Sequence, residues 1–251
     1  HPVTTLYRGN DDLITQATRT PVDEETARLQ VRELSEAGVD QVKAVMTDCQ
    51  ESCCRMDPAL LNAIVDEAHT LGLRVVVHTD SIQDVSDTIA AGADGLEHAW
   101  TEPDTSPDAG YYELMAESSV FVVPTIQAAR TYSYSGIQEL RDRLTHMREA
   151  GVNIVVGTDA PMVPFGSGVH QEMEQMVQAG YTPMQAIKAA THLAAHHLEL
   201  ADELGTLEVG KRADVIAVTG NPLDDISAIR NIALVIKAGE ILMDNRELDS
   251  Q

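Results

Sequence analysis

Residues 73–80 read Leu73-Arg74-Val75-Val76-Val77-His78-Thr79-Asp80, a β-branched apolar run that stops on an imidazole. A helix is expected before it over 58–71, with Pro58 near its start and Gly72 after its end. Another is expected after it over 82–91, closed by Gly92 and leading to a short strand over 95–98. The same unit recurs outward in both directions. Helix 24–37, with Ala27, Val31 and Leu34 at helical spacing and Gly38 as its stop, leads to strand 41–46. Helix 110–118 leads to strand 120–126, and helix 136–150, stopped by Gly151, to strand 153–158. Strands alternating with helices predict a parallel α/β sheet with right-handed crossovers. Their nearly continuous apolar runs predict burial on both faces. Helices over 169–179 and 183–198 follow, the second with Thr182 as N-cap and Pro183 at its first position.

Four of the runs end in side chains able to bind a metal: Lys43, His78, His98 and Asp159. Strand ends that converge on one site are the arrangement of (β/α) barrels, whose active sites lie at the carboxyl ends of the strands. Neutral imidazoles at 78 and 98 suit zinc and its neighbours, and Asp159 adds a hard oxygen donor. Two histidines and a carboxylate form a recurring catalytic ligand set that leaves a position for water, which then ionises near neutral pH. A lone strand-end histidine is ordinarily structural. Two on neighbouring strands, with Asp159 in Gly157-Thr158-Asp159-Ala160-Pro161, point to ligands. Lys43 has two readings. Its stem snorkels to the open strand end, since an ammonium among Val42, Ala44, Val45 and Met46 is costly to desolvate. Alternatively, CO₂ carbamylates it into an anionic ligand.

The charge balance narrows the partners. Forty acidic residues against seventeen basic give −23 over 251 residues, with Lys only at 43, 188, 211 and 237. Such a surface repels nucleic acid and anionic lipid, so neither is an expected partner. Cys49, Cys53 and Cys54 are an odd, clustered trio, a poor disulfide framework with no fourth zinc ligand nearby. Reduced thiols, and no apolar run long enough to span a membrane or export the chain, lead to an expected cytoplasmic location.

A closed barrel needs eight strands in about 250 residues, and the sequence shows five strand–helix units. Either the barrel is incomplete in this chain, or the units form an open sheet that binds a small ligand at its carboxyl edge. After residue 202 the character changes: strands over 215–219, 232–237 and 240–243 are separated by Asn-Pro and Ala-Gly-Glu turns. The expected division is a partial barrel over 1–202 and a small β segment over 203–251.

The series Val42-Lys43, Val76-Val77-His78, Leu96-Glu97-His98 and Val156-Gly157-Thr158-Asp159-Ala160 resembles the metal-dependent amidohydrolase superfamily. So do the stretches 180–191 and 204–215, Asn221-Pro222-Leu223-Asp224-Asp225-Ile226, and the strand Val235-Ile236-Lys237-Ala238-Gly239-Glu240. The nearest branch is similar to imidazolonepropionase-like and Xaa-Pro dipeptidase-like members. The resemblance, over about residues 20–244, implies a TIM barrel and a hydrolase of C–N amide-type bonds in a dipeptide, cyclic amide or related small molecule. It implies one or two divalent ions, zinc first. Lys43 then corresponds to a carboxylated, bridging lysine, His78 and His98 to ligands of the more buried ion, and Asp159 to a ligand of the other ion and the catalytic base. The family's opening His-x-His is not in this sequence, and the chain opens on His1-Pro2 rather than Met. A longer enzyme or a truncated relative is therefore expected, with a homo-oligomer or a preceding segment completing the barrel. The alternative reading is an inactive relative serving as a binding or oligomeric scaffold.

His170, Trp100 and Tyr132 are candidate substrate contacts, and Asp80 a supporting or substrate position. His192, His196 and His197 lack the glutamate of a zincin motif and are read as structural.

Overall fold

The computed structural model describes residues 4–6, 18–47, 55–98, 107–132, 136–160 and 163–246. The chain divides into two compact units, one of residues 1–124, 132–135 and 149–153, the other of 125–131, 136–148 and 154–251.

From residue 24 to 123 the first unit alternates helix and strand. β1 (Thr4–Leu6) and β2 (Thr18–Arg19) precede α1 (Glu24–Glu36), β3 (Gln41–Met46), α2 (Pro58–Thr70) and β4 (Arg74–Thr79). Then come α3 (Ile82–Ala90), β5 (Gly95–Glu97), α4 (Ala109–Glu117) and β6 (Phe121–Val123). These six strands pair in parallel in the order β2-β1-β3-β4-β5-β6, and β7 (Asn153–Ile154) takes the far end, where the chain leaves the unit. The helices start where local chemistry allows. Asp23 accepts the Thr26 N–H at 2.8 Å, Asp57 caps α2 ahead of Pro58, and Ser81 and Asp84 close a reciprocal capping box on α3. Ala27, Val31 and Leu34 of α1 and Leu61, Ile64 and Ala68 of α2 form one apolar core with Val42, Ala44, Val75 and Val77. Each buried Val, Leu or Ile among them contributes about 1.5–3 kcal/mol by burial.

The sequence reading differs from the structure in particulars. β1 and β2 were not expected, since two or three residues carry no readable periodicity. The run 120–126 is a strand only to Val123, and from Ile126 a helix, α5 (Ile126–Tyr132), begins. The run 153–158 is strand only over Asn153–Ile154, and the Val156 N–H donates to the Ala189 carbonyl at 3.2 Å rather than to a strand. β3 is not buried on both faces: Val42, Ala44 and Met46 are fully buried, whereas Gln41, Lys43 and Val45 are half-buried.

The second unit holds α5, α6 (Ile137–Ala150) apart from its last turn, α7 (Gly168–Gln178), α8 (Pro183–Ala190) and α9 (His192–His197). The helix expected over 183–198 is broken at Thr191, whose φ of −129° and ψ of −86° are not helical. β8 (Val215–Val218), a 3₁₀ turn (Ile226–Arg230), β9 (Ile232–Lys237) and β10 (Glu240–Asp244) follow, the strands antiparallel in the order β10-β9-β8. Arg230 grips Glu174 of α7 with two hydrogen bonds of 2.7 and 2.8 Å. The Tyr181 hydroxyl donates to the Leu144 carbonyl at 3.3 Å. Among the described residues no helix is long and apolar enough to cross a membrane.

Candidate metal centre

Three of the four expected ligands lie on or just after adjacent strands of the first unit. Lys43 is paired in register with Val76, and Val45 with His78. Residues side by side on parallel strands share a face, so Lys43 and His78 point to the same side. That side is opposite the one that packs Val42, Ala44 and Val77 against α1 and α2.

His98 follows β5, and Glu97 is the register partner of His78. Strict alternation would therefore send His98 to the opposite face. The backbone prevents this. His98 has a φ of 73°, in the left-handed region, while its N–H still reaches the Val123 carbonyl at 2.9 Å. Its ring meets that of His78 edge to face, with centroids 4.5 Å apart and planes at 70°. A left-handed non-glycine residue costs about 1–2 kcal/mol, and such strain concentrates at functional sites. Here it brings two imidazoles together from two strands.

The electrostatics keep His98 ready to donate a lone pair. Burial, then the His78 ring and the Lys43 ammonium, push its pKa down to about 3, with Asp80 opposing. Two imidazoles, one of them held neutral, are a donor type that zinc accepts. Among the described residues no group of three or more His, Cys, Asp or Glu side chains is arranged to hold an ion. Lys43, on the same face as His78, is a candidate third donor. As an ammonium it repels a cation; as a carbamate it supplies an oxygen and a negative charge. The donor set fits a divalent ion on that condition.

Behind the histidines lies a polar network that the sequence reading touched only at Asp80. One Asp80 carboxylate oxygen lies 3.1 Å from His78 Nε2 and also accepts the Thr47 hydroxyl. Asp84 accepts the backbone N–H groups of Asp80 and Ser81 at 3.2 and 2.9 Å, and Arg55 binds Asp84 at 2.5 Å and Asp87 at 2.6 Å. The Ser81-to-Asp84 spacing is legible as a capping box. Thr47 and Arg55 carry no signal of their own.

Asp159 belongs to the second unit, exposed at the end of the irregular stretch after β7, with a φ of 54°. His170 is half-buried in the first turn of α7, where burial and Arg230 lower its pKa against the opposing Glu174. Tyr132 closes α5, its side chain outside the described residues, as are Trp100 and the three cysteines. His192 and His196 lie on α9 with ring centroids 4.6 Å apart. Glu172, two positions beyond His170, is 1% exposed and accepts the N–H groups of Ile126 and Gln127 at 2.9 and 2.7 Å.

The ochratoxinase of Aspergillus niger is 30% identical over 215 residues, covering 77% of this chain and 43% of its own length. The imidazolonepropionase of Desulfotalea psychrophila is 27% identical over 188 residues, covering 70% of this chain and 42% of its own. A solved Xaa-Pro dipeptidase with methionine bound in its active site superposes on 95% of this chain and 66% of its own, with a TM-score of 0.79 and 28% identity. The chain thus spans less than half the length of these two curated relatives. The expected fold, a (β/α) barrel incomplete in this chain with a small antiparallel sheet, is borne out. The profile of the amidohydrolase family matches residues 14–242, and the chain belongs to that family.

Proposed function

We propose that the protein carrying this chain is a metal-dependent hydrolase of C–N amide-type bonds, with a small molecule such as a dipeptide or cyclic amide as substrate. The observation that carries the reading is the His78–His98 pair, brought together by a left-handed backbone at His98. Similarity to an imidazolonepropionase and a Xaa-Pro dipeptidase supports the substrate class. In this reading His78, His98 and a carboxylated Lys43 hold the ion, zinc by preference. A divalent ion held there supplies Lewis acidity and lowers the pKa of water. Asp159 takes the proton from the attacking water and returns it to the leaving nitrogen. His170, Trp100 and Tyr132 are proposed to contact the substrate, and the −23 net charge of the chain disfavours polyanionic ones.

The test is metal content by elemental analysis after growth with zinc, together with release of amino acid from a panel of Xaa-Pro dipeptides and cyclic amides. The wild type should carry at least one transition-metal ion per chain and hydrolyse a member of the panel. The variants His78→Ala and His98→Ala should lose both properties. A metal-free, inert wild type would overturn the reading and favour a scaffold.

A further inference from the structure

We infer that Asp80 is a positioning residue that holds the His78 ring by Nε2 and thereby leaves Nδ1 as the ring's donor atom for a cation. In an extended strand, residues two apart share a face. Asp80, two positions beyond His78, therefore stands on the same side as His78 and Lys43. Its Oδ2 lies 3.1 Å from His78 Nε2. A carboxylate oxygen accepts, so the ring nitrogen facing it carries the proton and the lone pair sits on Nδ1.

The same oxygen accepts the Thr47 hydroxyl from just beyond β3, so Asp80 ties the end of β3 to that of β4. Its main chain is fixed from behind by Asp84. That carboxylate is 2% exposed, bonds the N–H groups of Asp80 and Ser81, and is gripped by Arg55. Thr47, Asp80, Asp84 and Arg55 thus form a continuous polar buttress that ends on one nitrogen of His78. A carboxylate behind a ligating histidine fixes ring orientation and raises donor strength, and its loss typically lowers metal affinity about 10–100-fold. The inference rests on the reading of His78 as a ligand, but the ring geometry can be tested without any metal.

Two measurements on Asp80→Ala and Asp80→Asn separate these ideas. The first is proton–nitrogen NMR of metal-free, ¹⁵N-histidine-labelled protein. Wild type should show a His78 ring Nε2–H signal protected from solvent exchange. Ala should lose that protection, and Asn, which keeps an acceptor oxygen, should restore it in part. The second is zinc affinity by competition with a chelating dye, expected to fall about 10–100-fold in Asp80→Ala at an unchanged thermal midpoint. A protected Nε2–H in Asp80→Ala, or a proton on Nδ1 in the wild type, would overturn the inference. Failure of the wild type to bind zinc, with the ring signal as expected, would overturn the ligand reading and leave the Asp80–His78 lock standing.

Discussion

The carboxylate of Glu172, at the start of α7, accepts the backbone N–H of Gln127 at 2.7 Å, from a helix 45 positions earlier in the chain. Its other oxygen takes the N–H of Ile126 at 2.9 Å, so one side chain satisfies two donors at the start of α5. Thr125, just before them, has a φ of 44°, rare for a β-branched residue. The contact braces a strained turn that local sequence alone would not hold. Glu172→Ala leaves two buried donors without that acceptor and is expected to cost about 2–4 kcal/mol. Glu172→Gln, with one acceptor oxygen, should cost less. Urea unfolding of the purified chain reads both, and equal stability of Ala and wild type would refute the brace.

Glu172 also sets a pH dependence. Burial pushes its pKa from the usual 4.5 up to about 7, outweighing the two N–H bonds that pull it down. The folded chain therefore holds this proton more tightly than the unfolded one. Between about pH 4.5 and 7 the native state binds the extra proton, so the group's contribution to stability falls as pH rises, by up to about 1.4 kcal/mol per pH unit. The stability advantage of wild type over Glu172→Gln should thus shrink from pH 5 to pH 8. An advantage that grows over that range would reverse the assignment.

Glu172 shows where sequence reading stops. The capping boxes at Ser81/Asp84 and Thr182/Gln185 are legible because both partners lie within one turn. A cap supplied from 45 residues away has no local pattern. His78 and His98 were legible as strand ends, and Lys43 as a charge in an apolar run. The left-handed φ of His98, which decides that the two rings meet, is not written in Gly95-Leu96-Glu97-His98. The end of β6 is signalled by Pro124, which has no N–H for the ladder, but the brace that Glu172 gives the start of α5 is not.

Helix ends offer a simpler test. α2 and α3 close on Gly72 and Gly92 with φ of 73° and 75°, whereas α4 closes on Ser119 with a φ of 59°. Ser119 is exposed and bears the left-handed strain without a glycine's freedom. Ser119→Gly is expected to stabilise the protein by about 0.5–1 kcal/mol, seen as a raised Tm. A lowered Tm would show that the serine side chain contributes more than its backbone costs.

Gly205 runs the other way. Its φ is 93°, and a Cβ there would lie 2.5 Å from the Ala195 Cβ and 3.1 Å from the Thr191 carbonyl, both at the α9 segment. Backbone strain and overlap with atoms that cannot swing aside act together, so Gly205→Ala should destabilise by about 2–4 kcal/mol. The double variant Gly205→Ala with Ala195→Gly should recover only the steric part. Full recovery would mean that the positive φ costs nothing.

Asp159 carries the proton transfer in the proposed chemistry, and its role can be separated from metal holding. It stands exposed at the end of the irregular stretch after β7, with a left-handed φ of 54° that a β-branched residue would tolerate poorly. Asp159→Asn keeps the shape and removes the base. In the active enzyme kcat should fall about 10²–10⁴-fold, the range for loss of a general base. Zinc held through His78 and His98 should remain measurable by elemental analysis. If kcat falls only together with loss of all the metal, Asp159 is a ligand first, and the base must be sought elsewhere. An unchanged kcat would remove it from the mechanism.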